Sequence, residues 1–99
     1  MGKRMPLEVL TTPSFARTAK KLHVKGKKTV DQAGTAVAID PTIGEEKKGD
    51  LAGVFVHKFK LNQQETLLAY GLKPNRKSPT QVVLLAVRPH ENFYAQLKR

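Results

Sequence analysis

Gly53-Val-Phe-Val-His-Lys-Phe-Lys-Leu61 is the stretch on which the fold turns. Upstream of it apolar residues recur at helical spacing; from here they alternate, and a period of two is the signature of a strand. Alternation puts Val54, Val56, Lys58 and Lys60 on one face and Phe55, His57 and Phe59 on the other. The phenylalanines belong against whatever covers the sheet, so the lysines point from an open face. Asn62-Gln-Gln64 reads as a turn. Two more strands follow, Thr66–Leu72 and Gln81–Val87, separated by the basic loop Lys73-Pro-Asn-Arg-Lys-Ser-Pro79. Val82-Val-Leu-Leu-Ala-Val87 is continuously apolar, which predicts a central strand covered on both faces.

Working backwards, Pro41–Asp50 is a polar loop, and two helices precede it. Thr12-Pro13 reads as a helix start, an N-cap hydroxyl followed by proline at the first helical position. Phe15, Ala19 and Leu22 then form one apolar stripe. The link Lys25-Gly-Lys-Lys28 is expected to break this helix. Thr29-Val-Asp-Gln32 has the form of a capping box, and Val30, Ala33 and Val37 continue at helical spacing until Pro41. Helices are thus expected over 13–23 and 29–39, packed as an antiparallel pair. Pro6–Thr12 supplies a short first strand, and Phe93, Tyr94 and Leu97 come together on a short helix over His90–Lys98. The order β-α-α-β-β-β-α is α+β, a helix pair on one face of a small, mainly antiparallel sheet, with residues 1–99 as one domain.

The charge is uneven. Eighteen Lys and Arg stand against eight Asp and Glu, for a formal net charge of +10. Residues 1–30, 31–50 and 51–99 carry +7, −3 and +6 in turn. Such a surplus costs the compact state self-repulsion, and phosphate is the commonest partner that offsets it. There is no cysteine, which excludes disulfides and thiolate chemistry. His23, His57 and His90 are too scattered to suggest zinc by spacing. No metal or cofactor is expected. No apolar run approaches the ~18 residues of a membrane span, and no apolar segment follows the basic start, so no membrane partner and a cytoplasmic location are expected.

Two segments carry a family resemblance. Gly49-Asp-Leu-Ala-Gly53, leading into Phe55-Val-His-Lys-Phe-Lys60, is similar to the Leu-x-Gly turn before the second strand of the RelE/ParE toxins. Val87-Arg-Pro-His-Glu-Asn-Phe-Tyr94 resembles the Gly-x-His-x-x-Phe/Tyr ending of that superfamily's RelE/YafQ-like branch. The likeness runs from about Phe15 to Arg99. It implies the toxin of a type II toxin–antitoxin pair, most often a metal-independent endoribonuclease cutting mRNA on the ribosome. The implied partners are a cognate antitoxin, mRNA and ribosomal RNA, with DNA reached only through the antitoxin complex. A ParE-like inhibitor of DNA gyrase is the same-fold alternative; a non-catalytic RNA-binding module is a third reading that charge alone supports.

Metal-free RNA cleavage needs a base for the 2′-hydroxyl, charge on the phosphorane and an acid for the 5′-oxygen. Lys58 and Lys60 match the paired lysines of RelE and are assigned to phosphate, one of them acting as base if its pKa is lowered. A solvated strand face is the plainer reading, but adjacent lysines repel and that argues for a purpose. His57 falls on the helix-facing side and reads as structural unless a bulge near Gly53 shifts the register. His90 matches the histidine of the family ending and titrates near neutrality, which suits a general acid; otherwise it opens a helix and packs on Phe93. Arg88, alternating with Ala86, reaches the open face to hold the scissile phosphate. Tyr94 stacks on a base or supplies a phenolic proton, or else belongs to the core. Lys20, Lys21, Lys27, Lys28, Lys73, Arg76 and Lys77 are assigned to RNA backbone. RelE carries a third-strand arginine, which Glu65-Thr-Leu-Leu-Ala-Tyr70 lacks. Arg88 or Arg76 takes that role, or the chemistry follows the histidine variant.

Overall fold

The computed structural model describes residues 6–47, 49, 52–75 and 77–89. Two helices pack on one face of a mixed five-stranded sheet. The elements run β1 (Glu8–Thr11), α1 (Pro13–Lys20), α2 (Val24–Ile39), a 3-10 turn (Pro41–Ile43), β2 (Glu45–Glu46), β3 (Val54–Leu61), β4 (Gln64–Lys73) and β5 (Gln81–Pro89). In space the strands lie β1-β5-β4-β3-β2. β1 is parallel to β5 and the remaining pairs are antiparallel.

Local chemistry accounts for most of these boundaries. The Thr12 hydroxyl accepts from the Phe15 amide at 3.1 Å and Pro13 opens α1, as the sequence predicts. α1 ends earlier than expected, at Lys20, while Leu22 still packs on the core from the short connection. The expected break at Lys25–Lys28 does not occur, because those residues form the first turns of α2. Gly26 is buried there against Leu22 and Leu61, and the lysines around it are exposed. Thr29 is therefore no cap. Its hydroxyl donates to the Lys25 carbonyl at 3.0 Å, inside the helix.

The loop Pro41–Asp50 also holds more structure than expected. Tyr70, fully buried on β4, donates its hydroxyl to the Pro41 carbonyl at 2.7 Å and accepts from the Gly44 amide at 3.0 Å. That pins the chain where it leaves the 3-10 turn. Glu45 and Glu46 then pair with Val56 and Phe55 as an added edge strand. A side chain at Gly44 would collide with the Tyr70 ring, so close approach is what requires glycine here. Asn62 and Gln63 both have positive φ, 53° and 67°, the geometry of a two-residue type I′ hairpin turn joining β3 to β4.

The core lies between helices and sheet: Phe15, Val30, Val37 and Ala38 meet Phe55, Leu68, Tyr70, Val82, Leu84 and Val87. β5 is an interior strand, between β1 and β4, but its burial departs from the sequence expectation. Val82, Leu84 and Val87 are buried, while Val83, Leu85 and Ala86 are half-buried, since no described element covers the far face. The spacing of the buried set, two and then three, marks a bulge. Ala69 pairs with Ala86 but Tyr70 pairs with Leu84, leaving Leu85 as the extra residue.

Candidate nucleic-acid interface

The bulge decides where Arg88 points. Strict alternation from Val82 and Leu84 would carry Ala86 and Arg88 into the helix-facing core. One extra residue at Leu85 inverts the phase, so Val87 stays in the core and Arg88 emerges on the open face. The sequence assignment of Arg88 to that face holds, for a reason that alternation alone does not reveal.

Cross-strand pairing then arranges the open face in rows. Val56, Ala69 and Ala86 make one row. Lys58, Leu67 and Arg88 make the next, so the two cations stand two strands apart, about 10 Å at the backbone. Lys60 and Glu65 face each other in a third. Between lysine and arginine Leu67 is only 6% exposed, and it lines a shallow hollow of about 50 Å³ with Val56, Ala69, Ala86 and Arg88. That is room for a water or two rather than for a nucleobase. The arrangement places an exposed lysine and an exposed arginine on either side of an apolar floor, on strands from which two long cationic side chains can share one phosphate.

His57 takes no part in it. It shares its register position with fully buried Leu68 and stacks toward Phe59, ring centroids 6.2 Å apart, on the helix-facing side. Burial lowers its pKa below the ordinary imidazole value, so protonation opposes folding there.

The remaining sequence candidates are dispersed. Lys20 and Lys27 flank a groove between the helices with Ala19, Val30 and Asp31. Lys21 is the C-cap that follows α1, and Lys28 is exposed on α2. These four belong to the helix layer, across the sheet from Lys58 and Arg88, so no single phosphate meets both sets. Lys73 ends β4, and Lys77 lies in a loop whose amides at 77 and 78 donate to Asn75 Oδ1 at 3.0 and 2.9 Å. His90, Tyr94 and Arg76 lie outside the described residues. Among the described residues no cluster of three His, Cys, Asp or Glu could hold a metal ion, and no helix is long and apolar enough to cross a membrane. Leu85, Leu67 and Glu65 shape the face yet escape sequence reasoning. Their importance comes from register, which only the pairing reveals.

Two helices on one side of a mixed sheet, with a cationic row on the other, define a small α+β protein. The chain belongs to the ParE-like toxin family of type II bacterial toxin–antitoxin systems, whose family model matches residues 9–98. Among solved structures it is similar to the Mycobacterium tuberculosis toxin–antitoxin complex RelBE2, with TM-score 0.69, 24% identity, and 87% of this chain and 100% of that one covered. It is also similar to a mutant of the Escherichia coli toxin RelE in the free state, with TM-score 0.64, 17% identity and coverage of 96% and 98%. A third is the archaeal RelE–RelB complex from Pyrococcus horikoshii, with TM-score 0.55, 12% identity and coverage of 86% and 96%. At these identities the solved structures establish the fold alone. No curated protein sequence matches the chain.

Proposed function

We propose that this toxin is an endoribonuclease that cuts mRNA on the ribosome and is neutralised by a cognate antitoxin, with residues 1–99 acting as one domain. The observation that carries the reading is the Lys58–Leu67–Arg88 row on the open face. It supplies an arginine beside the lysine although β4 has none, and it does so through the Leu85 bulge. In this reading the scissile phosphate sits over Leu67, and Arg88 and Lys58 stabilise the charge of the phosphorane formed when the 2′-oxygen attacks. Lys60, facing Glu65, steers the strand as a cation, or in its neutral amine form accepts the 2′-proton. His90, two residues beyond Arg88 in the chain, is the candidate acid for the leaving 5′-oxygen, and Tyr94 a stacking or proton-donating partner. The lysines of the helix layer, with Lys73, Arg76 and Lys77, hold ribosomal RNA backbone through charge.

A gyrase-inhibiting activity is the second reading, and the match to the ParE-like family model favours it. Induced expression in a bacterial host separates the two. The nuclease reading expects growth arrest with fragmented mRNA, relieved by Lys58→Ala, Arg88→Ala or His90→Ala without loss of folded protein. Arrest with intact mRNA and failed supercoiling sinks it in favour of gyrase.

A further inference from the structure

The two ends of the sheet meet solvent differently. Past the two residues of β2, the β3 end carries Lys58 and Lys60, and cations along an edge deter pairing between copies. The β1 end has no such guard. β1 pairs with β5 alone, and among the described residues no strand lies on its outer side. The Glu8 amide donates to the Thr80 carbonyl at 3.1 Å, and the Thr12 amide to the Leu84 carbonyl at 3.1 Å. That phase turns the peptide groups of Glu8, Leu10 and Thr12 toward β5, and those of Val9 and Thr11 outward. Each strand thus offers two amides and two carbonyls along its edge. The side chains beside them are uncharged and exposed, Val9 at 42% and Leu10 at 36%, with Thr11 next to them. Glu8, the one charged residue of β1, accepts from the Gln81 side chain at 3.0 Å.

We propose that two copies of this chain join β1 to β1, antiparallel, about a two-fold axis at Leu10. The strand is self-complementary in that register. Val9 stands opposite Thr11 of the second copy, and the two such pairs use every outward amide and carbonyl of both strands. Leu10 meets its own copy at the intervening position, where side chains approach most closely, and both leucines leave water. Glu8 falls opposite Thr12 of the second copy, so no like charges meet. The same operation on β3, centred on Phe59, sets Lys58 against Lys60, which selects the β1 edge over the other. Pairing of this kind uses up the edge on both copies, so association closes at the dimer. The contact is far smaller than the ~1,600 Å² of a standard interface, which makes the dimer concentration-dependent rather than obligate. Two five-stranded sheets become one of ten, with both open faces on the same side. Leu10 shares its register position with Val83, away from the Lys58–Leu67–Arg88 row, so each copy keeps its cationic row uncovered.

Sedimentation equilibrium of the full chain tests it. Expected is a monomer–dimer equilibrium; a chain that stays monomeric up to about 1 mM overturns the proposal, as does open-ended association. Amide hydrogen exchange over the same concentrations should slow at Val9 and Thr11 and stay unchanged at Lys58 and Lys60. Slowing at Lys58 and Lys60 instead would put the contact on the other edge and sink the idea. Leu10→Lys and Leu10→Glu each set like charges together on the axis, so each alone is expected to be monomeric and their equimolar mixture to dimerise. A mixture that stays monomeric, or a dimer undiminished in either variant alone, overturns the register. Val9→Pro removes an outward amide that β5 does not use, and Val9→Thr keeps it. The proline variant is expected to dissociate with a constant about tenfold or more above that of the threonine variant. Equal constants would overturn backbone pairing. None of these readouts needs nuclease activity or an antitoxin, so the dimer and the cleaving face stand or fall separately.

Discussion

At the scale of single residues, Tyr70 and His57 show two ways a polar group survives next to the core. The Tyr70 hydroxyl has one donor and one acceptor partner, both backbone, and stacks its ring on Phe55 at 5.5 Å. Burial, followed by the nearby Asp40 carboxylate, pushes its pKa up, which the Gly44 amide partly opposes; the phenol stays protonated and able to donate. Tyr70→Phe leaves an amide and a carbonyl without that partner, and is expected to cost about 1–3 kcal/mol in urea unfolding. Among the described residues the His57 ring stacks on Phe59 instead, and its folded pKa lies below the unfolded value near 6.5. As pH falls through 6.5 the unfolded chain takes the proton first, so stability drops, and the drop levels off below the folded pKa. Melting temperature measured across that window should fall with acid in the wild type. His57→Leu should flatten the curve; an unchanged slope would remove His57 as its source.

At the scale of elements, the sheet was legible and the helix boundary was not. The switch from helical period to alternation announces β3, β4 and β5, and the faces of Phe55 and Lys58 follow from it directly. The start of α2 is misleading because Lys25-Gly-Lys-Lys28 looks like a link, while burial of Gly26 against Leu22 and Leu61 keeps it helical. Gly26→Ala tests this: its added methyl meets Leu22 at 3.4 Å and Leu61 at 3.7 Å, ordinary contacts. It should stabilise the fold by about 0.5–1 kcal/mol, as expected within a continuous helix and not at a break. β2 is invisible in the sequence because two glutamates have no strand propensity; Tyr70, 26 residues from Gly44, puts them there. The Leu85 bulge is equally silent, since every residue around it is apolar. Deleting Leu85 restores strict alternation, turns Arg88 toward the core and swings Val87 out. Unfolding measurements should show a loss of several kcal/mol, in line with forcing a charge into a core.

At the scale of the whole molecule, the chain carries a net charge of +10, and among the described residues cations stand on two opposite surfaces, the helix layer with Lys20 and Lys27 and the open sheet face with Lys58 and Arg88. Composition suggests a polyanion partner but cannot say that cations occupy two sides, because sidedness depends on register and on the layer each lysine joins. The role of the candidate site is less legible still: Lys58 and Arg88 are 30 positions apart in the chain and share a row only through β4. The most direct test of the proposed cleaving face is incubation of purified protein with mRNA-programmed ribosomes, mapping the new 5′ ends. The account predicts cleavage by the wild type that requires the ribosome, and its loss in Lys58→Ala and Arg88→Ala variants with unaltered melting. Intact mRNA with the wild-type protein, or undiminished cleavage by both variants, would contradict it.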